Sequence, residues 1–283
     1  MADAGSHAYE FLDCGAGRRL ERFSDQLVIR PAPAAFNPPA LSRQTWERAN
    51  LSFTPGKGWN GEAPGDWQVA LGGALLRLRP AGGGQVGVFP EHASVCSLLE
   101  ERLAARTHPN GSIKALNLFA HTGLATVRLA ALAPVGEMVH ADASKRAVST
   151  ARENAKASGL EKARIRWLVD DAVSLVKREA RRGNRYGLIL ADPPSHGRDK
   201  KSGRDWNFQR DIVEFLELTA GLLEPSGLLC LTCHSGGWEA GEASGLMDRI
   251  PGLPPGRLTK KLTLASTAGG NSLDAGFAVL AFG

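Results

Sequence analysis

The stretch Leu190-Ala191-Asp192-Pro193-Pro194 holds a carboxylate where a strand must end. Pro193 has no N–H and fixes φ, so strand pairing stops there. Pro194 keeps the residue before it extended. Asp192 therefore opens a stiff, non-helical turn after the apolar run Tyr186 to Ala191. In open α/β sheets, that carboxyl edge is where ligands bind. Alone, the motif reads more simply as a strand-ending turn with a solvated Asp, so the other strand ends bear on the choice.

Three of them carry suitable groups. Leu118-Phe119-Ala120-His121-Thr122-Gly123 occupies the strand–turn–helix position where Rossmann-type proteins place a nucleotide. Gly123 is its only glycine and Ala120 its other small residue. A pyrophosphate needs close approach by several N–H groups, so a nucleoside with a small zwitterionic tail suits this turn better. The next strand ends in His140-Ala141-Asp142. Asp142 lies roughly 20 positions after Gly123, the spacing of an acid that binds ribose hydroxyls. It could instead help cap the helix that Ser144 begins. The third strand ends in Val169-Asp170-Asp171-Ala172. A carboxylate there can accept from an adenine amine. Asp171 is favoured for that contact, although one of the pair can serve as a helix N-cap.

The loop Ser195 to Trp206 carries Arg198, Lys200, Lys201 and Arg204 beside Asp-Pro-Pro. Such a loop can hold phosphates, and Trp206 can stack on a base. A solvated loop with Trp206 packed beneath it is the equal alternative. Arg257, Lys260 and Lys261 read as a solvated strand face. Cys230 and Cys233 form C-x-x-C, but residues three apart on a strand face opposite sides. No second ligand pair for zinc accompanies them, so no metal is expected.

The elements that position these residues fall into two parts. Residues 1–88 read as a small β-rich subdomain, with Pro/Gly-dense turns at 31–40, 55–65 and 80–84. Its strands are Gln26 to Arg30, Trp67 to Leu71 and Ala74 to Leu78. Trp46, Trp59 and Trp67 are taken as core. From residue 89 to 283, strands and helices alternate. A helix spans 91–106, with Val95, Leu98, Leu99 and Leu103 on one stripe. Strands at 115–119, 137–141, 163–169, 186–191 and 228–233 are separated by helices at 122–132, 144–158, 172–182 and 207–223. Gly159 closes the second of those helices. A helix over 238–247 and two β runs, 258–265 and 276–282, end the chain. The expected fold is α/β: a doubly wound, mostly parallel, seven-stranded Rossmann-like sheet with a C-terminal antiparallel hairpin.

The 283 residues are 43% hydrophobic and 22% charged, an ordinary globular balance with enough apolar mass for a sizeable core. The net charge of +5 permits an anionic partner without requiring one. Four cysteines do not make a disulfide framework. With no leader and no bilayer-length apolar run in the sequence, a cytoplasmic location is expected, an organelle not being excluded.

Together these strand ends resemble a class I S-adenosylmethionine-dependent methyltransferase. More narrowly, the chain resembles the large-subunit ribosomal RNA methyltransferases that modify cytosine at C5. The matching stretches are Phe11-Leu12-Asp13-Cys14-Gly15 through Leu20-Glu21-Arg22-Phe23, Val88-Phe89-Pro90-Glu91-His92, Leu116 to Gly123, Asp142-Ala143-Ser144 through Ala151-Arg152-Glu153-Asn154-Ala155, and Asp192-Pro193-Pro194-Ser195. The resemblance implies S-adenosylmethionine as cofactor, held by Phe89, Pro90, Glu91, Asn117, Phe119, Ala120, Thr122, Gly123, Asp142, Ser144, Asp171, Asp192 and Pro193. It implies RNA, ribosomal RNA above all, as partner, met by Pro194, Ser195, Lys200, Lys201, Arg204 and Trp206.

In such enzymes a cysteine at the fifth strand end is the nucleophile, here Cys233. Its thiolate adds to C6, so that C5 can attack a methyl group, while Asp192 steadies the ring near N3. A buried, inert cysteine is the competing reading. Ser195 supplies neither the aromatic face of amino-group methyltransferases nor a second cysteine. Bacterial members of that family carry an RNA-binding PUA domain before the β-rich segment, and this chain begins at that segment. A small-molecule or protein-side-chain acceptor is therefore the alternative, followed by a non-catalytic RNA-binding protein.

Overall fold

The computed structural model describes residues 8–106, 111–198, 205–234 and 238–283. The amino-terminal part is a five-stranded sheet of β1 (Tyr9–Gly15), β2 (Arg18–Phe23), β3 (Gln26–Pro31) and, beyond α1 (Arg43–Glu47), β4 (Leu51–Thr54) and β5 (Gly58–Asn60). A hairpin follows, β6 (Gln68–Leu71) with β7 (Ala74–Arg77). The sequence marked β3, β6 and β7 as strands but not β1. Phe11 to Gly15 are all buried, so no alternation of apolar and polar residues announces them.

The remaining elements alternate. They run α2 (His92–Ala104), β8 (Ile113–Leu118), α3 (Leu124–Ala130), β9 (Val135–Asp142), α4 (Lys145–Ala157), β10 (Ile165–Val169), α5 (Ala172–Arg181) and β11 (Tyr186–Ala191). Then come β12 (His196–Arg198), β13 (Asp205–Asn207), α6 (Phe208–Ala220), β14 (Leu223–Cys233), α7 (Ala240–Asp248), β15 (Gly256–Leu264) and β16 (Leu273–Phe282). The large sheet has the order β10-β9-β8-β11-β14-β16-β15. Its first five strands are parallel, and β16 runs antiparallel to both its neighbours. The order reverses direction at β8, the switch point where such sheets open a crevice.

Local signals explain the helix ends. The Ser144 hydroxyl accepts from Ala147 N–H at 3.2 Å, and Gly159 ends α4 with φ 76°. Asn207 caps α6. That helix stops at Ala220, short of the expected Leu223. Leu222 instead accepts from Tyr186 N–H at 2.8 Å, which draws the chain into β14 early.

Helices cover both faces of the sheet. Leu188, Leu190, Leu228 and Cys230 face α2, α3 and the amino-terminal sheet in one apolar cluster. Ile189, Ala191, Leu229, Leu231 and Cys233 face α5, α6 and α7 in a second. The first cluster continues through Phe23, Val28, Leu51 and Trp67, so the amino-terminal part shares its core with the large sheet. A polar clasp adds to this. Asp13 is fully buried and accepts from Leu41 N–H, Asn271 N–H and the Trp46 indole at 2.8–3.0 Å. Trp46 and Trp67 are core residues as expected, and Trp59 is half-buried against the same cluster.

Candidate active site

The carboxyl ends of β8 to β11 open into one cavity of about 940 Å³, within the range of small-molecule sites. Its wall begins with the turn after β8. Phe119 and His121 both adopt positive φ, 54° and 47°, and Gly123 has φ 87°. A Cβ on Gly123 would lie 2.8 Å from the Ala151 methyl. Glycine is thus required there, both for its conformation and for the approach of α4.

Asp142 holds this turn in place. One carboxylate oxygen accepts from His121 N–H and the other from Ser144 N–H, both at 2.8 Å. The carboxylate lines the cavity and keeps lone pairs for further donors. It therefore both caps and faces the cavity. Asp171 caps α5, accepting from Ser174 N–H at 2.8 Å, and also lines the cavity. Its neighbour Asp170 is paired with Arg178. Phe89, Glu91, Phe119, Ser144, Asp192, Pro193, Pro194, Ser195 and Trp206 complete the expected residues on this wall.

Other expected residues lie behind it. Asn117, Ala120, Thr122 and Gly123 border an adjoining recess of about 30 Å³. Asn117 is committed to the Thr126 hydroxyl at 2.9 Å, and the Thr122 hydroxyl donates to Gly87 O. Pro90 is buried before α2 and borders neither space. Trp206 is 7% exposed, donates to Pro194 O at 2.6 Å and packs against Phe119 and Phe215. It packs beneath the turn while one part borders the cavity. Lys200, Lys201 and Arg204 lie outside the described residues.

The expectation that Cys233 faces this site is not met. Strand alternation sends Thr232 and Cys233 to opposite faces of β14. Thr232 meets Asp192, whereas Cys233 packs into the α5–α6–α7 cluster, 4% exposed and off the cavity wall. Burial, with the Asp192 charge adding to it, pushes its thiol up to about 12. A nucleophilic thiolate needs the opposite environment.

His234 takes the cavity position that Cys233 does not. Its Nε2 lies 3.0 Å from one Asp192 oxygen, and its Nδ1 lies 2.8 Å from Ala275 O. His92, at the start of α2, brings its Nε2 to 3.3 Å from the other Asp192 oxygen and 2.7 Å from His234 Nε2. The two rings stack, with centroids 4.8 Å apart. Burial lowers both histidines. In His234 the Asp192 charge and hydrogen bond outweigh burial, with Glu91 assisting, and raise it to about 9. In His92 burial prevails over Asp192 and its value falls. Burial alone would raise Asp192, but the two histidines and the Thr232 hydroxyl hold it well below the usual carboxylate range.

Neither histidine is among the site residues expected from the sequence. For His234 a signal existed: residues two apart on a strand share a face, so Thr232 and His234 had to point together. For His92 there was none beyond its place in Phe-Pro-Glu-His.

A parallel sheet closed by an antiparallel strand pair, an acid after β9 and Asp-Pro-Pro after β11 define a class I S-adenosylmethionine-dependent methyltransferase. The Glu91 Oε2 atom fits that cofactor. It is buried on the cavity wall with no hydrogen-bond partner among the described residues, and a buried carboxylate oxygen calls for a cationic donor such as an amino acid's ammonium.

The chain is similar to the SAM-dependent methyltransferase from Agrobacterium tumefaciens, 31% identical with a TM-score of 0.87, covering 98% of this chain and 91% of that one. The chain belongs to the SAM-dependent methyltransferases. SMU.776, solved in complex with SAH, shares the fold at 18% identity and a TM-score of 0.74, over 98% of this chain and 75% of its own. No family model matches the chain. Curated relatives include the ribosomal RNA large subunit methyltransferase K/L of Shewanella frigidimarina, 28% identical over 213 residues and 74% of this chain. The protein of the same name from Chromohalobacter salexigens is 28% identical over 209 residues, again 74% of this chain. The chain spans 28% and 27% of the length of these two relatives. Among the described residues, no helix is long and apolar enough to cross a membrane.

Proposed function

We propose that this methyltransferase acts on a base of RNA, with ribosomal RNA as the acceptor class. The observation that carries this reading is the likeness to proteins named for ribosomal RNA methylation across 74% of the chain. The cavity supports it, since it is open and bordered at one end by Pro194, Ser195 and Gly197. A base held within a helix has to be flipped out to enter such a site.

The cofactor, when bound, supplies an electrophilic methyl group on a sulfonium. Asp142 binds its ribose hydroxyls, Asp171 accepts from its adenine amine, and Glu91 Oε2 takes its ammonium. Phe89 and Phe119 flank it, and the Gly123 turn lets its backbone approach. Ser144 and Pro193 complete this end.

Asp192 and His234 form the acceptor end. Two routes to a methylated base divide on Cys233. A base nitrogen or oxygen carries its own lone pair. It needs only a partner to orient it and balance its charge, which Asp192 and His234 can do from the cavity wall. Cytosine C5 needs a thiolate at C6. Cys233 can provide one only by leaving its apolar layer and ionising. The geometry supports the first route better. The second keeps one observation in its favour: Cys233 ends β14 directly beside the Thr232–Asp192 contact.

The test is transfer of labelled methyl from S-adenosylmethionine to unmethylated ribosomal RNA, with the product resolved by nucleoside. Label that survives Cys233→Ala and lies outside 5-methylcytidine supports the lone-pair route. Label in 5-methylcytidine that disappears in Cys233→Ala establishes the thiolate route. An RNA left unlabelled by a protein that binds the cofactor moves the acceptor to a small molecule or protein side chain.

A further inference from the structure

Three potential metal-binding atoms converge at the acceptor end. They are His92 Nε2, His234 Nε2 and a carboxylate oxygen of Asp192, all within 4.8 Å of one another. What holds them together needs explaining. His234 Nδ1 faces Ala275 O at 2.8 Å, a contact that requires its N–H. In the neutral ring, Nε2 is then a bare acceptor. It would face an Asp192 oxygen at 3.0 Å and His92 Nε2 at 2.7 Å. Acceptors this close are tolerated only around something positive, either a proton or a metal ion.

The surroundings match the second possibility. Two imidazoles and a carboxylate are the donor set of divalent transition-metal sites that keep open positions. Ligands about 2.1 Å from a tetrahedral ion stand roughly 3.4 Å apart. The two nitrogens stand 2.7 Å apart and lie 3.0 and 3.3 Å from different oxygens of Asp192, so the rings must part by about 0.7 Å to reach that spacing and the carboxylate must either turn one oxygen to the ion or bind it through both. The outer contacts are those that orient metal ligands: the Ala275 carbonyl on His234 Nδ1 and the Thr232 hydroxyl on Asp192. Charge agrees as well. Asp192 and Glu91 both lie here, Glu91 Oε1 at 4.0 Å from His234 Nδ1, and no Lys or Arg salt bridge reaches either among the described residues.

We propose that His92, Asp192 and His234 form a three-ligand site for a divalent cation that favours imidazole, Zn²⁺ foremost, with its open position on the acceptor end of the cavity. Asp192 and His234 both line the cavity, so that position faces whatever is methylated. The cation can there take an acceptor oxygen or a water. The sequence conceals the set, because its ligands come from α2, the turn after β11 and the end of β14.

Cobalt tests this, as a coloured stand-in for zinc. The untagged full-length protein is freed of metal with a chelator and titrated with Co²⁺. One equivalent should bind with a visible absorption band of a low-coordinate site. His92→Ala and His234→Ala should each lose at least tenfold in affinity with the band, while His196→Ala, an exposed histidine outside the cluster, should keep both. Circular dichroism shows whether each variant is folded. A second readout needs no variant: nitrogen-resolved proton NMR of the wild type should show a far-downfield Nε2–H that disappears on adding one equivalent of Zn²⁺, while the His234 Nδ1–H on Ala275 O stays. Absence of Co²⁺ binding, a band unchanged in both folded histidine variants, or an Nε2–H signal that persists under Zn²⁺ would overturn the proposal and leave a shared proton between the rings.

Discussion

The two ends of the cavity are built on different principles. At the proposed cofactor end, Asp142 and Asp171 are anchored by backbone N–H groups, Ser144 and Ser174 lying two and three residues on and His121 in the turn after the neighbouring strand. Asp142 grips His121 and Ser144, and Asp171 grips Ser174. At the acceptor end, Asp192 is anchored by side chains from distant segments, His92, Thr232 and His234. Local anchoring leaves a local trace in the sequence. Long-range anchoring leaves almost none.

This difference can be sharpened by substitution. Asp192→Asn removes the charge that both histidines share, and should lower methyl transfer by roughly 10²-fold or more. Its effect on SAH affinity, measured by calorimetry, should stay within a few-fold. Equal losses in both would make Asp192 a cofactor residue and erase the distinction. Asp142→Ala should show the reverse pattern. Loss of a charged acceptor costs about 1.5–3 kcal/mol, so SAH should bind roughly 10- to 100-fold more weakly. Unchanged affinity would remove Asp142 from the ribose.

Gly123→Ala probes the turn between the two ends. The added methyl meets Ala151 at 2.8 Å in a backbone with φ 87°. Thermal unfolding should show a loss of about 1–3 kcal/mol, and a neutral result would mean the turn relaxes without cost.

The smallest effects are expected at Cys233. Under the lone-pair route, Cys233→Ala should retain methyl transfer within a few-fold. Its alkylation should be slow at neutral pH. The rate should still be rising tenfold per pH unit above 9, because the thiol is pushed up to about 12 and ionises only as pH climbs toward that value. A rate that levels off near pH 9 would mean the thiol is ordinary and accessible.

Protonation of the acceptor end offers a further pH test in the metal-free protein. His234 is raised to about 9 by Asp192. The stability it adds is present in full below the free imidazole value of about 6.5 and is lost as pH rises through 9. Denaturant unfolding should therefore show stability declining across that window in the wild type, and a flatter profile in His234→Gln.

The same contrast explains what could be read from the chain. β11 was legible to the residue, because Asp-Pro-Pro fixes where it ends. The Ser144 cap and the Gly159 stop were legible too, each being a local backbone requirement. The β12–β13 pair was not, since its strands are only three residues long and their partners lie across a loop read as basic and irregular. At the site, the spacing after Gly123 pointed to Asp142, and its carboxylate lines the cavity. The His92–His234 contact joins residues 142 positions apart, and no periodicity reports such a pairing. Cys233 was drawn to the site by its place at a strand end. Alternation along β14 puts it on the other face, with His234 on the cavity side.

The most direct test of this division of labour is calorimetric titration of SAH into the wild type, Asp142→Ala and His234→Ala, alongside methyl transfer by each. The account predicts that Asp142→Ala loses at least tenfold in SAH affinity. It predicts that His234→Ala binds SAH within about threefold of the wild type while methyl transfer falls by roughly 10²-fold. Loss of SAH binding in His234→Ala as severe as that in Asp142→Ala would contradict it, because the histidine cluster would then belong to the cofactor.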